Sequence, residues 1–153
     1  MAENIYRAAR KRAAKDNSAL NNAEYAQDMI FIERTKLLCI EKGSITPDPD
    51  EVLRMAKAYG APELCAHYCA KACPVGKYMD YPEIDCSSLS DIAAFLMSAV
   101  YFLDRTNDKI FKIFEDRKIT ENERREFNEI LEKLDKVSDA TEALKLWAKK
   151  QGL

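Results

Sequence analysis

Three cysteines fall at one-turn spacing near the middle of the chain. Cys65, Cys69 and Cys73 occupy positions i, i+4 and i+8, with His67 between the first two and Cys86 further along. Two thiolates one helical turn apart can chelate a soft metal ion, and Cys86 or His67 would complete a set of four ligands. The paired Cys-x2-Cys spacing of zinc knuckles is absent. The alternative therefore stays open that small thiols line the inner face of a short helix, and we predict no cofactor.

A second group of polar residues stands where a short helix is expected to begin. Arg34, Thr35 and Lys36 open this helix, and Cys39 lies one turn further along the same face. An arginine can bind a guanine edge through two hydrogen bonds, and a threonine can contact the methyl group of thymine. The alternative is that these side chains form the solvated polar face of a helical protein.

Two short helices around a tight corner would position this group. Asn22 is a good cap for the first helix, residues 31–33 make the corner, and the second helix runs over 34–42 until Gly43 ends it. This layout is typical of a helix-turn-helix unit, whose second helix lies in the major groove of DNA.

Two features of this region depart from the usual pattern. Many such units place glycine at the position of Phe31, where the turn can require a positive φ, so we expect the turn to differ in detail. Glu33 and Glu41 flank the reading helix and are expected to repel phosphate, while Leu38 and Cys39 offer no strong hydrogen bonds.

Contacts to phosphate are predicted at both ends of this region. The backbone amide of Asn22 lies at a helix N-terminus, and Lys42, Arg10 and Lys11 supply positive charge. The whole chain has a formal net charge of −2, but residues 1–42 hold eight Lys/Arg and six Asp/Glu, a net of +2. A local basic face can bind phosphates even in an acidic chain.

The remaining pattern is helical throughout and predicts an all-α protein. Asp48, Pro49 and Glu51 form a capping box before a helix that Gly60 ends, and a short helix over 62–72 follows. We expect a helix-turn-helix domain of about five helices over 1–76, a linker over 77–86, and a C-terminal helical bundle or dimerisation region over 87–153. In that region, separate helices are predicted after Ser88 or Ser90, after Thr120, and around Trp147.

Composition favours an ordinary globular protein. The 153 residues are 47% hydrophobic and 33% charged, with only four glycines. The N-terminus shows no secretory pattern, and the longest apolar run, residues 92–103, is too short to cross a bilayer. We therefore expect a cytoplasmic protein with reduced thiols and no membrane partner. We expect no enzyme, because the single histidine and the lack of glycine-rich loops or serine elbows leave catalysis without support.

The region from Asn4 to Tyr59 resembles the XRE-type (Cro/C1-type) helix-turn-helix regulators of bacteria and their phages. The resemblance rests on YRAARKRA, on Ala26, on Leu37 with IEKG, and on the segments from Pro47 to Ala56. The later segments YGAPELCAHYC, PEIDCSSLSDIAAFL and ITENERREF resemble a Firmicutes and prophage subgroup with a helical C-terminal extension. This resemblance implies sequence-specific binding to double-stranded DNA, usually as a homodimer and usually to repress transcription.

Two hypotheses follow. In the first, the protein is a DNA-binding transcriptional regulator that reads the major groove with helix 34–42. In the second, the helix-turn-helix is a scaffold reused for protein binding, for example in an inhibitor or anti-defence protein of a mobile element, with the apolar segment 95–103 and the C-terminal helices available to a partner.

Overall fold

The computed structural model describes residues 4–85, 88–115 and 119–153, with the backbone alone at 106–109 and 112–115. Over these ranges the protein contains α-helices and one short 3-10 helix but no strand, which confirms the predicted all-α fold. The α-helices are α1 (Ile5–Ala13), α2 (Ala23–Ile30), α3 (Arg34–Lys42), α4 (Pro49–Tyr59), α5 (Glu63–Lys71), α6 (Pro74–Tyr78), α7 (Leu89–Glu115) and α8 (Arg124–Lys150).

The chain divides into two compact units. The first contains Met1–Ile84 together with Lys149–Leu153, and the second contains Asp85–Ala148. Within the first unit, the Lys150 ammonium lies 3.1 Å from a carboxylate oxygen of Glu63, which also pairs with Arg12. The last residues of the chain are therefore part of the first unit.

The first unit has one apolar core, to which α1 through α5 all contribute. Its largest fully buried side chains are Leu20, Ile30, Leu37, Ile40, Val52, Met55 and Leu64. These residues recur at helical spacing within their elements, so each helix presents one apolar face to the same interior. The core fixes α2, α3 and α4 against one another.

The predicted helix ends of this unit are confirmed. The Asn22 side chain accepts a hydrogen bond from the amide of Glu24, and Asp48 and Glu51 form both halves of a capping box. Gly43 and Gly60 end α3 and α4 in left-handed conformations, with φ of 77° and 58°. These residues set where each helix starts and stops.

The corner between α2 and α3 adopts the left-handed conformation despite lacking glycine. Phe31 has φ 52° and ψ 44°, and its side chain is 80% exposed. The turn therefore has the backbone conformation that usually favours glycine. The expectation that the turn would differ in detail was wrong. A bulky residue at positive φ is strained, and neighbouring contacts must hold it there.

One short helix was not expected. The segment from Pro74 forms α6, where a terminating turn and the start of a linker were predicted. Gly76 allows the backbone of α6 to approach α5 closely, because a Cβ added there would lie 2.0 Å from the carbonyl oxygen of Cys69. Helix α6 extends the helical part of the first unit into the predicted linker.

The second unit contains two long helices rather than three shorter ones. Ser88 caps α7 through the amide of Asp91, and α7 continues to Glu115. The prediction of a separate last helix around Trp147 was wrong, since α8 runs unbroken from Arg124 through that residue. No glycine or proline interrupts this stretch, so nothing in the sequence stops the helix.

Much of the apolar surface of the second unit is exposed. Its described buried side chains include Ile92, Ala99 and Ile130, whereas Met97, Val100 and Phe111 are exposed. Within the described ranges, no helix is both long and apolar enough to cross a membrane.

Candidate functional site on the third helix

Helix α3 is held rigidly by its inner face. Leu37 and Ile40 are fully buried, and Glu41 is buried beside them. The amide side chain of Asn4 donates to the backbone carbonyl of Ile40 at 3.1 Å, which joins the start of α1 to the end of α3. The opposite face, which begins with Arg34 and Thr35, is exposed.

Arg10 contributes to this inner attachment. Its Nε and Nη2 atoms donate to the two carboxylate oxygens of Glu41 at 2.6 and 2.7 Å, and Nη1 donates to the carbonyl oxygens of Leu20 and Asn21 at 2.8 and 3.1 Å. The guanidinium is buried, and each of its three nitrogens donates at least one hydrogen bond. This corrects the expectation that Arg10 contacts phosphate.

The same pair changes the role expected for Glu41. Its carboxylate faces the core and not the outer surface of α3, and the guanidinium of Arg10 compensates its charge. The predicted repulsion between Glu41 and a phosphate backbone therefore loses its basis, because a buried, paired charge presents little net field to solvent.

Glu33 caps α3. Its carboxylate accepts hydrogen bonds from the amides of Thr35 and Lys36 at 2.9 and 3.2 Å. The amide of Thr35, then its hydroxyl, hold the pKa of Glu33 below its ordinary value. The carboxylate stays ionised at neutral pH and satisfies the free amides that open the helix.

Lys36 extends toward the start of α4, and its side chain is 42% exposed. Its ammonium forms an ion pair with Glu51 and lies 3.8 Å from Asp48, so both acids of the capping box lie beside it. The hydrogen bond with Glu51 is the main cause that raises the pKa of Lys36. Lys36 thus holds α3 against the start of α4, and only part of its charge is available to a ligand.

The remaining predicted contacts lie at the surface. Arg34 and Lys42 are exposed at opposite ends of α3, and neither side chain forms a hydrogen bond or ion pair with another described residue. Thr35 is exposed and Cys39 half-buried between them. Asn22, which caps α2, and Lys11 of α1 are also exposed.

Two residues that bind the backbone at the ends of α2 and α3 were not identified from the sequence. Arg54 of α4 donates from Nε to the backbone carbonyl of Ile30 at 2.8 Å, which satisfies a free acceptor at the end of α2. Asn4 caps α1 through the amide of Tyr6 in addition to its bond with Ile40. The Asn4 cap had a sequence signal, an asparagine before an amphipathic helix, whereas Arg54 had none.

Exposed apolar side chains lie on α2 and at the corner that follows it. Tyr25 and Met29 are one turn apart on the outer face of α2, and Phe31 follows at the corner; all three are exposed. We call these three residues the α2 patch. Apolar side chains grouped at a surface are typical of contacts with another molecule.

The three clustered cysteines lie on α5 and just before α6. Cys65 and Cys69 lie on α5 and Cys73 precedes α6, while Cys86 lies outside the described residues. Among the residues that the structure describes, no group of three or more His, Cys, Asp or Glu is arranged to hold a metal ion. Burial raises the pKa of Cys65 and of Cys69, which disfavours the reactive thiolate.

His67 has other neighbours. Its Nδ1 atom lies 3.4 Å from a carboxylate oxygen of Glu83, which also pairs with Lys71 at 2.6 Å, and its ring packs edge-on against Tyr6. These contacts join α5 to the segment that follows α6.

Comparisons with family models, with curated proteins and with solved structures find no match to this chain.

Proposed function

We propose that the protein is a sequence-specific DNA-binding regulator that reads the major groove with α3. The observation that carries the proposal is the division of α3 into a fixed inner face and a free outer face. Leu37, Ile40 and Glu41 anchor the helix, while Arg34, Thr35 and Lys42 point outward from it. A reading helix needs both properties, since base contacts require a preset position and unoccupied polar groups.

Charge supports the same proposal. The first compact unit contains 14 Lys/Arg and 12 Asp/Glu, a formal charge of +2. The second contains 10 Lys/Arg and 14 Asp/Glu, a formal charge of −4. Of the acids near α3, Glu41 is paired with Arg10 and Glu51 with Lys36, whereas Glu33 keeps its charge as the cap of the helix. The first unit is therefore the one suited to a phosphate backbone.

Binding as a homodimer belongs to this proposal, and α7 supplies a surface for it. Apolar residues recur along one face of α7 at alternating steps of four and three, at Leu89, Ala93, Leu96, Val100 and Leu103, and Ile110 follows one full heptad later. We call this face the α7 stripe. Leu89 and Val100 are 40% and 56% exposed. A repeat of this kind is typical of two helices packed as a coiled coil, and a two-fold pair would place two reading helices about 34 Å apart.

The proposal is tested by selection from random double-stranded DNA, followed by fluorescence anisotropy with the selected sequence over a series of salt concentrations. The double variant Arg34→Ala/Lys42→Ala should lose specific binding while its circular dichroism stays unchanged. Lys57→Ala/Lys77→Ala removes the same charge from exposed sites on α4 and α6, and should retain the sequence preference. Equal binding by the two double variants, or no enriched sequence at all, would refute it.

The second candidate function is a protein-binding scaffold, and the α2 patch favours it. Phe31 keeps a strained conformation and exposes its ring, together with Tyr25 and Met29. If selection enriches no DNA sequence, these three residues become the surface to test. Their joint replacement by serine should then abolish binding of a purified partner and leave the fold intact.

A further inference from the structure

The second unit contains an open groove between α7 and α8. The groove residues of α7 lie on a different face of that helix from the α7 stripe. Its volume is about 610 Å³, within the range typical of small-molecule sites. Its lining residues are Phe95, Ser98, Ala99, Tyr101, Phe102 and Arg105 of α7 with Lys133 and Lys136 of α8. The groove thus combines an aromatic floor with positive charge from both helices.

Three cationic side chains line the groove, and no carboxylate lines it. The Arg105 guanidinium carbon lies 5.6 Å from the centre of the Tyr101 ring, and the Lys133 ammonium lies 5.3 Å from that of Phe102. Among the described side chains, neither cation forms an ion pair. Lys136 has one partner, Glu132 at 2.7 Å. Glu132 also interacts electrostatically with Lys133. The groove lining itself contains three cations and no acid, in a unit whose overall charge is −4.

The rings hold these cations in place. The Arg105 guanidinium donates to the Tyr101 hydroxyl at 2.9 Å and stacks near the same ring. An aromatic face attracts a cation and restricts the conformations of the cationic side chain. Less side-chain entropy is therefore lost when an anion binds. An anionic ligand in the groove would face positive charge from both helices.

We propose that this groove binds a small amphipathic organic anion, with an aromatic or alkyl body on Phe95, Tyr101 and Phe102 and an acidic group at Arg105 and Lys133. The occupant follows from charge and surface together: an uncharged apolar ligand would leave the cations unpaired, and inorganic phosphate would leave the rings uncovered. A second copy of the chain is a less suitable occupant. The apolar residues with the heptad spacing expected for helix pairing lie on the α7 stripe and not in the groove. This inference does not depend on the proposed function of α3.

The test uses 8-anilinonaphthalene-1-sulfonate, which has an aromatic body and one negative charge, and its uncharged analogue N-phenyl-1-naphthylamine. Fluorescence titration of the full chain should show one sulfonate bound per chain. Arg105→Gln should weaken this binding by about tenfold or more, as expected for loss of a charge-assisted contact. Lys145→Gln, which removes an exposed cation paired with Glu142 on the same helix, should leave binding unchanged.

The uncharged analogue distinguishes the groove from a general apolar surface. It should bind more weakly than the sulfonate, and Arg105→Gln should reduce the difference between the two probes. Lys133→Gln provides a second variant on the other helix, and laurate should displace the sulfonate. Equal binding of both probes to the unmodified protein, or equal loss in Arg105→Gln and Lys145→Gln, would overturn the proposal and place the probe on the α7 stripe.

Discussion

Arg10 of α1 and Glu41 of α3 form a buried ion pair with two parallel hydrogen bonds, and Arg10 also binds the carbonyls of Leu20 and Asn21 before α2. One guanidinium therefore connects three elements of the first unit. The position of α3 depends on a polar contact as well as on its apolar face.

Removing one partner of this pair should be strongly destabilising. Glu41→Ala leaves a buried guanidinium without its carboxylate, so we expect the free energy of unfolding to fall by about 3–5 kcal/mol. Urea denaturation followed by circular dichroism measures this loss. The double variant Arg10→Met/Glu41→Leu, which removes both charges, should recover much of the stability. A loss below about 1 kcal/mol in Glu41→Ala would show that the pair is not a structural contact.

Replacing the strained residue at the corner should stabilise the first unit. Phe31→Gly removes the cost of a side chain at φ 52°, so we expect a gain of about 1 kcal/mol in the free energy of unfolding. Phe31→Ala is the matched control, because it removes the exposed ring but keeps a Cβ at positive φ. Thermal unfolding should rank Gly above Ala, and the reverse order would show that a Cβ at this positive φ causes no net strain.

The approach of α6 to α5 should depend on Gly76. A methyl group there would meet the carbonyl oxygen of Cys69, so Gly76→Ala must displace one backbone against the other. We expect a loss of about 1–3 kcal/mol, as for other overpacked sites. Val75→Ala is the control on the same helix, since Val75 is exposed. Chemical denaturation that fails to separate the two variants would contradict the close approach.

The cap of α3 should weaken in acid. Its hydrogen bonds hold the pKa of Glu33 below the ordinary value of 4.5. The contribution of the cap is therefore complete above pH 4.5 and is lost as the pH falls through the lower pKa of the folded state. The amide resonances of Thr35 and Lys36 should titrate with a midpoint below 4.5. In Glu33→Gln this transition should vanish; a transition that persists there would assign it to another carboxylate.

Local signals in the sequence predicted much of the first unit. Capping residues such as Asn22 and Asp48, and glycines such as Gly43, act on their own helix and so can be recognised without the fold. Residues that connect one element to another could not be recognised in this way. Arg10 was assigned to the surface because an arginine in a basic amphipathic helix is usually solvated, and its partner Glu41 lies 31 positions away.

The candidate site shows the same division. The exposed positions of Arg34, Thr35 and Lys42 follow from helical periodicity, but the ion pair between Lys36 and Glu51 depends on how α3 and α4 meet. In the second unit, apolar patterns identified helical segments but wrongly divided α8 into two helices. The groove at Arg105 and Lys133 depends on two helices at once. No sequence pattern predicts that cations of α7 and α8 line the same groove.

The return of residues 149–153 to the first unit means that the two units are nested rather than consecutive. A single cut after Ile84 would take from the first unit the ammonium of Lys150, which neutralises Glu63 together with Arg12. An N-terminal fragment would therefore be an incomplete copy of the unit. Exchanging the second unit for another helical insert between residues 84 and 149 would preserve it, since that exchange retains both stretches of chain from which the unit is built.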